Sequence, residues 1–179
     1  MNKNIKISGK ILSRYDEIVS GDALEFIQEI HEKFNEKRLE LLNERKKRQK
    51  AIDGGAKLDF LDETKKIRES EWKIKNIPKD LLKRQVEITG PPVPKKMFIS
   101  ALNSGADCYM TDFEDSLTPT FDNLIKGQLN VRDAINKKID FTDKKTGKNY
   151  KLNEKTSVLI IRPRGLHLDE KNIKINNER

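Results

Sequence analysis

The sequence contains a single cysteine, Cys108, among 179 residues, so an intrachain disulfide is excluded. This cysteine lies in the apolar run 108–110, and no motif that would activate a thiol surrounds it. We therefore expect a buried, inert thiol rather than a nucleophile. One cysteine is compatible with a reducing compartment but does not require one.

Long hydrophobic runs are also missing. No apolar stretch approaches the roughly 18 residues that a membrane-spanning helix needs, and residues 1–7 lack the apolar core of a signal peptide. The last four residues, 176–179, are polar and carry no targeting signal. These absences predict a soluble protein that is cytoplasmic by default and does not act at a membrane.

Apolar residues are scarce and charged residues abundant, at 35% and 37% of the chain. Typical values are about 45–50% and 25%, so the surface is large relative to the core. The net charge of +8 favours anionic partners such as nucleic acid, anionic lipid, phosphorylated cofactors or small carboxylates. Net charge governs solubility and the rate at which a protein meets charged molecules more than it governs function. A lysine-rich surface without such a partner is therefore the simpler interpretation.

The first third of the chain predicts one long helix from about Asp22 to Asp53. Asp22 and Glu25 fit an N-cap and its partner three residues later. Apolar residues then recur at spacings near 3.6, namely Ile27, Ile30, Phe34, Leu41 and Leu42. The basic run 45–50 suits the C-terminal end of a helix. The two glycines at 54–55 are expected to end the helix. No aromatic residue interleaves with the basic run, so a solvated helix end is favoured over a nucleic-acid site.

After a loosely patterned connecting segment, in which we expect Trp72 to be a packing anchor, the pattern becomes that of an α/β protein. The predicted elements are strands at 86–89, 107–111 and 157–161, helices at about 97–102 and 121–135, and a hairpin over 139–152. The unbroken apolar run of the last strand is typical of a parallel strand covered on both faces. A TIM barrel needs about 250 residues, so one could only be begun here.

Three carboxylates follow the second of these strands, in the run Asp112-Phe-Glu114-Asp115-Ser116. Crowded carboxylates need a cation, a basic partner or water, and in a loop at a strand end they could support a divalent metal and its waters. The alternative is a solvated acidic turn in which Ser116 or Asp115 caps the next helix. The spacing alone does not decide between these interpretations.

A second polar cluster, Arg162 to His167, follows the last strand directly. The guanidinium of Arg162 offers a planar fork of donors to a carboxylate or an enolate oxygen. The alternative is a structural ion pair between Arg162 and the acidic loop. His167 and His31 are the only histidines, and we expect both to be structural.

Several blocks of the sequence, taken in order and at their intervals, closely resemble malate synthase of the shorter, A-type class. The blocks are 58–61, 67–70, 86–91, 97–103, 110–116, 127–134 and 162–168. The resemblance extends from about Leu24 onward and implies an N-terminal helical clasp with its connecting segment over 1–82. It further implies that 83–179 form the first strands and helices of an incomplete TIM barrel.

The resemblance also implies an activity and its ligands. The family uses magnesium and condenses acetyl-CoA with glyoxylate and water to give malate and CoA, a step of the glyoxylate cycle. Acetyl-CoA and glyoxylate are thus the expected ligands, with neither nucleic acid nor membrane as a partner. The expected location is the cytoplasm, or a glyoxysome or peroxisome in a eukaryote.

By motif match, Arg162 is the family's active-site arginine. We expect it to stabilise the enolate and to orient glyoxylate rather than to act as a base, because a guanidinium stays protonated. Asp112, Glu114 and Asp115 are expected to support the waters of the magnesium ion, and Ser116 to face acetyl-CoA.

The family's direct magnesium carboxylates and its catalytic aspartate come later in the sequence than Arg179. The chain is therefore expected to be an N-terminal fragment, inactive alone, with the missing C-terminal portion as its partner. The alternative is a non-catalytic truncated remnant that acts as an interaction partner.

Overall fold

The computed structural model describes residues 5–177. The helices are α1 (Gly21–Asp53), α2 (Lys65–Arg68), α3 (Lys95–Leu102) and α4 (Phe121–Ile135). The strands are β1 (Ile5–Ile7), β2 (Glu87–Gly90), β3 (Cys108–Asp112), β4 (Asp140–Thr142), β5 (Asn149–Lys151), β6 (Val158–Arg162) and β7 (Ile173–Ile175). Short 3₁₀ turns lie at Tyr15–Glu17, Asp62–Thr64 and Lys79–Leu81. The predicted order of elements from β2 to β6 is confirmed.

The long helix α1 is confirmed, but its predicted N-cap is wrong. Ser20 is the cap, with extended backbone angles, and its hydroxyl accepts a hydrogen bond from the amide of Ala23 at 3.2 Å. Asp22 lies inside the first turn, where its charge favours the positive end of the helix dipole. At the other end Gly54 is the C-cap and Gly55 has a φ of +96°, as a glycine stop requires.

A three-stranded parallel sheet in the order β2-β3-β6 forms the centre of the fold. The helix α3 connects β2 to β3, and α4 with the antiparallel hairpin β4–β5 connects β3 to β6. The mixed α/β class is thereby confirmed. The prediction that the last strand is parallel is confirmed, but the expectation that it is covered on both faces is wrong for the described residues, because Ile161 is 45% exposed.

The main core lies between this sheet and the helices α3 and α4. Its buried members include Phe98, Ile99, Leu102, Tyr109, Phe113, Leu124 and Val131. Phe141 and Tyr150 of the hairpin pack against the same cluster. Cys108 is fully buried, as expected. Burial of these side chains holds the carboxyl ends of β3 and β6 side by side.

A second, smaller cluster was not foreseen from the sequence. β1 pairs antiparallel with β7, and this two-stranded sheet covers Tyr15 and the outer side of α4 at Phe121, Ile125 and Leu129. Strands of three residues are too short to show a period-2 pattern. The pairing is nevertheless important, because it ties the two ends of the described chain to one helix.

The connecting segment between α1 and β2 is sparsely packed. Trp72 is 62% exposed, so its predicted role as a packing anchor is wrong for the described residues. Many apolar side chains of α1 and of this segment are likewise exposed. Over residues 5–177, no helix is both long enough and apolar enough to cross a bilayer.

Candidate active site

The structure brings the acidic loop and Arg162 together at one edge of the parallel sheet. Asp112 is the last residue of β3 and Arg162 the last of β6, and the two are partners in the strand register. Both polar clusters singled out in the sequence therefore lie at the carboxyl ends of neighbouring strands. In α/β folds this edge is where ligands and catalytic groups are found.

The carboxylate of Asp112 holds the backbone of the acidic loop by hydrogen bonds. Its Oδ1 accepts hydrogen bonds from the amides of Glu114 and Asp115 at 2.9 and 3.2 Å, and its Oδ2 accepts one from the amide of Ser116 at 3.1 Å. The side chain is only 2% exposed. Three backbone donors on one buried carboxylate fold the loop into a tight turn and leave Asp112 little capacity for a ligand.

The alternative that Ser116 or Asp115 caps the next helix is wrong. The N-cap of α4 is Thr120, whose hydroxyl accepts a hydrogen bond from the amide of Asn123 at 3.2 Å. The hydroxyl of Ser116 instead donates to the carbonyl of Asp112 at 3.2 Å. The acidic turn is therefore closed on itself, and the helix begins independently of it.

Arg162 is surrounded by the three carboxylates. Its Nη1 lies 2.6 Å from Oδ2 of Asp115 and 3.4 Å from Oδ2 of Asp112, and its Nη2 lies 2.8 Å from Oε2 of Glu114. Asp115 is 70% exposed, whereas Glu114 is largely buried. The structural ion pair anticipated as an alternative role for Arg162 is thus present. Three carboxylates around one guanidinium leave an excess of two negative charges, which a further cation would relieve.

Charges at this site are held in their ionised forms. Burial on its own raises the pKa of Asp112, but the amides of Glu114 and Asp115 and the charge of Arg162 outweigh it, so the pKa lies below its usual value. Hydrogen bonding to Asp115 raises the pKa of Arg162 further above its ordinary range. A guanidinium held in this way can stabilise negative charge but cannot accept a proton.

The loop after β6 folds back onto Glu114, which sequence reasoning did not foresee. The amide of Gly165 donates to Oε1 of Glu114 at 3.1 Å, and Nε2 of His167 lies 3.8 Å from the same oxygen. A Cβ at position 165 would lie 2.6 Å from that oxygen and 2.6 Å from the imidazole of His167. A side chain at position 165 would force Glu114 and His167 to shift, so Gly165 belongs to the architecture of the site.

Ser116 also lines a cavity of about 760 Å³. The other walls come from the loop after β2, the face of α4 from Asp122 to Asp133, Phe141 of the hairpin and the N-terminal segment around Tyr15. Three cations and two carboxylates line it, so its walls carry one net positive charge; they are Arg14, Lys95 and Lys126 with Asp122 and Asp133. These residues lie far apart in the sequence, which gave no signal for them.

Ion pairs fix the cationic walls of this cavity. Both Nη atoms of Arg14 contact the carboxylate of Asp133, at 2.8 and 2.9 Å. Tyr15 is buried beside Arg14 and its hydroxyl donates to Asp122. Burial and this contact raise the pKa of Tyr15, so the phenol remains a donor. The N-terminal segment is thereby locked onto α4 with its polar groups at the cavity.

Within residues 5–177, no group of three or more His, Cys, Asp or Glu side chains is arranged to hold a metal ion directly. Although the acidic loop has three carboxylates, each contacts Arg162, and those of Asp112 and Glu114 also accept backbone hydrogen bonds. The loop is better suited to accept hydrogen bonds from a metal's waters than to coordinate the ion itself.

Comparison with known proteins shows what the chain resembles. Residues 3–66 match the family described as "Malate synthase, N-terminal domain". The chain is 49% identical over 164 residues to a malate synthase of Myxococcus xanthus, an alignment that covers 92% of this chain and 30% of that protein. It is 47% identical to malate synthase A of Escherichia coli (88% and 29% covered) and 39% identical to a glyoxysomal malate synthase of Zea mays (98% and 32%). The chain thus spans about 30% of the length of these relatives.

Proposed function

Because this chain belongs to the malate synthase family and matches the N-terminal portion of its members, we propose that it supplies part of a malate synthase active site. The reaction is the condensation of acetyl-CoA with glyoxylate and water to give malate and CoA, in the glyoxylate cycle. The observation that carries the proposal is the position of Arg162, at a strand end with its guanidinium among the carboxylates of the acidic loop.

For the fold we propose an N-terminal clasp over 1–82 and the beginning of a TIM barrel over 83–179. Support comes from three adjacent parallel strands, two helical connections and polar residues gathered at the carboxyl ends of β3 and β6. Active sites of TIM barrels are built at that end of the strands. The exposed edge of β6 is where a following strand would pair.

The reaction begins when a base removes a proton from the methyl group of acetyl-CoA. We assign this step to a carboxylate outside the residues described here. The enolate carbon then attacks the aldehyde carbon of glyoxylate, and one new C–C bond gives malyl-CoA. Water cleaves the thioester, releasing malate and the thiol of CoA. Arg162 contributes a fixed positive charge to the enolate oxygen and to the carboxylate of glyoxylate.

The surroundings of Arg162 fit this role. Buried Asp112 and largely buried Glu114 hold the guanidinium plane, whereas exposed Asp115 occupies one side of Nη1. A substrate carboxylate would displace the exposed Asp115 most readily, because its ion pair is the best screened by water. The arginine would therefore bind an anion without losing its orientation.

Magnesium, when bound, would supply Lewis-acid polarisation of the aldehyde of glyoxylate. Glu114 and Asp115 are the residues of this chain that would accept hydrogen bonds from its waters. Asp112 fits less well than the sequence suggested, because both of its oxygens accept hydrogen bonds from loop amides. We accordingly propose that Asp112 supports the loop and that direct metal ligands come from outside these residues.

We propose the cavity beside Ser116 as the part of the acetyl-CoA site that this chain provides. Its volume of about 760 Å³ is within the usual range for ligand pockets. Lys95, Lys126 and Arg14 give it a net positive lining that suits phosphate groups. Acetyl-CoA and glyoxylate are then the ligands, without nucleic acid or membrane, and the partner is the C-terminal portion of a malate synthase.

A malate synthase would act in the cytoplasm, or in a glyoxysome or peroxisome if the source is eukaryotic. The maize relative, whose name includes "glyoxysomal", supports the second location. The competing proposal is a non-catalytic remnant that retains the fold and associates with a partner.

The deciding experiment measures release of CoA from acetyl-CoA with glyoxylate and magnesium. The chain is assayed alone and after addition of the remaining C-terminal portion of E. coli malate synthase A. We expect no turnover alone and measurable turnover in the mixture, which Arg162→Lys lowers by about 10²–10³ and the exposed control Arg48→Lys leaves unchanged. Turnover by the chain alone would overturn the assignment of the base to other residues. Association of the two pieces without turnover would favour the remnant.

A further inference from the structure

Arg38 differs from the other cations of α1 in the direction of its contacts. Lys37 and Lys47 pair with carboxylates of the same helix and are mostly exposed. Arg38 instead reaches off the helix: its Nη1 donates to the carbonyl of Leu166 at 2.9 Å, and its Nη2 lies 3.2 Å from Oδ1 of Asp169. The Arg38 side chain is 21% exposed and that of Asp169 is 52% exposed, so the guanidinium is partly buried while its carboxylate partner is open to water.

The guanidinium of Arg38 is fixed on its own helix as well. Its Nε donates to Oδ1 of Asn35, one turn earlier, at 2.9 Å. All three nitrogens are therefore engaged, one by the helix and two by the loop that follows β6. A lysine ammonium could not reproduce this planar arrangement of donors.

The loop held by Arg38 is also tied together by contacts between its own residues. Arg164 contacts the carboxylate of Glu170 at 2.8 Å and donates to the carbonyl of Asp169 at 3.0 Å. The amide of Leu168 donates to the carbonyl of Gly165 at 3.0 Å. Anchoring Leu166 and Asp169 to α1 therefore also anchors the amide of Gly165, the residue directly before Leu166.

That amide is the point at which the loop contacts the site. Gly165 donates to Oε1 of Glu114, and the other oxygen of Glu114 pairs with Nη2 of Arg162. The approach is close, since a methyl group at 165 would lie 2.6 Å from Oε1 of Glu114 and would force that side chain to shift. A continuous set of contacts thus runs from α1 through the loop to the arginine of the site.

We propose that Arg38 is a positioning residue for Arg162. By holding the loop after β6 on the long helix, it keeps the amide of Gly165 on Glu114 and so fixes the plane of the Arg162 guanidinium. The catalytic meaning of this contact rests on the function proposed above, but the contact itself does not.

The test is NMR spectroscopy of the full chain with ¹³C,¹⁵N-labelled arginine. The signals of Arg162 are assigned from their loss in Arg162→Lys, and the rate of rotation about its Cζ–Nη bonds reports how firmly the guanidinium is held. Arg38→Met keeps the length of the side chain but removes its donors. Asp169→Asn weakens the same contact from the loop side, and Arg48→Met is the matched control on an exposed turn of the same helix.

We expect Arg38→Met to accelerate rotation of the Arg162 guanidinium about tenfold, the equivalent of about 1.4 kcal/mol, and Asp169→Asn to accelerate it less. Arg48→Met should have no effect. Unchanged Arg162 signals in folded Arg38→Met, or equal changes in Arg48→Met, would overturn the proposal. If Arg38→Met does not fold, Asp169→Asn alone decides by the same criterion. The measurement needs no turnover, so a failed activity assay leaves its result intact.

Discussion

Asp112 and Arg162 are register partners at the ends of two adjacent parallel strands, and Nη1 of Arg162 lies 3.4 Å from Oδ2 of Asp112. The same carboxylate accepts three backbone hydrogen bonds from the loop that supplies Glu114 and Asp115. One buried charge therefore shapes the acidic loop and orients the arginine. Structural pairing and catalysis are compatible interpretations of this geometry, because the ion pairs hold the guanidinium in place.

Asp112→Asn should destabilise the chain by about 1–3 kcal/mol, because the amide group would direct a donor at the backbone of Ser116 and at Arg162. The free energy of unfolding in urea measures the effect. Asp115→Asn is the matched control, since it removes an exposed partner of the same arginine and should cost less than about 1 kcal/mol. Equal losses in the two variants would contradict the special role of the buried carboxylate.

The stability of the chain should fall as the pH drops below about 4. Contact with Arg14 is the main cause that lowers the pKa of Asp133, and the amides of Glu114 and Asp115 help to lower that of Asp112. Such carboxyls bind fewer protons when folded than when unfolded. Their contribution is therefore present above the unfolded value near 3.8 and is lost as pH falls through the folded value.

Urea unfolding at a series of pH values from about 7 to about 2 checks this dependence. In Asp133→Asn the free energy of unfolding should fall less steeply at low pH. Asp62→Asn, on an exposed turn, should follow the parent curve. An equally steep loss of stability at low pH in Asp133→Asn would show that the pair of Arg14 and Asp133 contributes nothing to the pH dependence.

Gly9→Ala should separate the N-terminal strand from α4. A Cβ at position 9 would lie 2.1 Å from the ring of Phe121, which is buried in the second cluster. We expect a loss of about 1–3 kcal/mol, as is typical of overpacking. Gly21→Ala is the control, because a Cβ there meets nothing within 4 Å and alanine favours a helix. Thermal unfolding followed by circular dichroism compares them, and a Gly9→Ala midpoint at or above the parent's would exclude the close contact.

Ser116→Ala should weaken binding of CoA about 3- to 10-fold if its hydroxyl contacts the ligand, which is the value of one neutral hydrogen bond. Isothermal titration calorimetry of the chain with CoA measures it. Ser70→Ala, on the exposed connecting segment, should bind as the parent does. Unaltered affinity in Ser116→Ala would remove this residue from the proposed acetyl-CoA site.

Much of the fold follows from local sequence signals. The apolar spacing of 121–135 predicts α4 with its observed bounds, and the glycine pair at 54–55 ends α1 where it was expected to end. These signals are reliable because hydrophobic periodicity and glycine geometry act within a few residues. The N-cap of α1 was misassigned because several polar residues compete there, and the backbone angles of Ser20 decide among them.

Trp72 illustrates the limit of composition as a guide. A large aromatic residue predicts burial, but most of the segment that carries it is exposed among the described residues, and Trp72 itself is 62% exposed. Burial depends on what lies opposite a side chain, and the local sequence contains no information about that.

Local sequence signals are sufficient to predict the helices, the parallel strands and the two polar clusters at their ends, because each depends on residues that are close along the chain. The folded structure was needed to show that β1 pairs with β7, that Gly165 contacts Glu114 and Arg38 contacts Leu166, and that Arg14 and Tyr15 line the cavity beside Ser116. These contacts join residues that are distant in sequence, and such pairings arise from packing and charge complementarity in three dimensions.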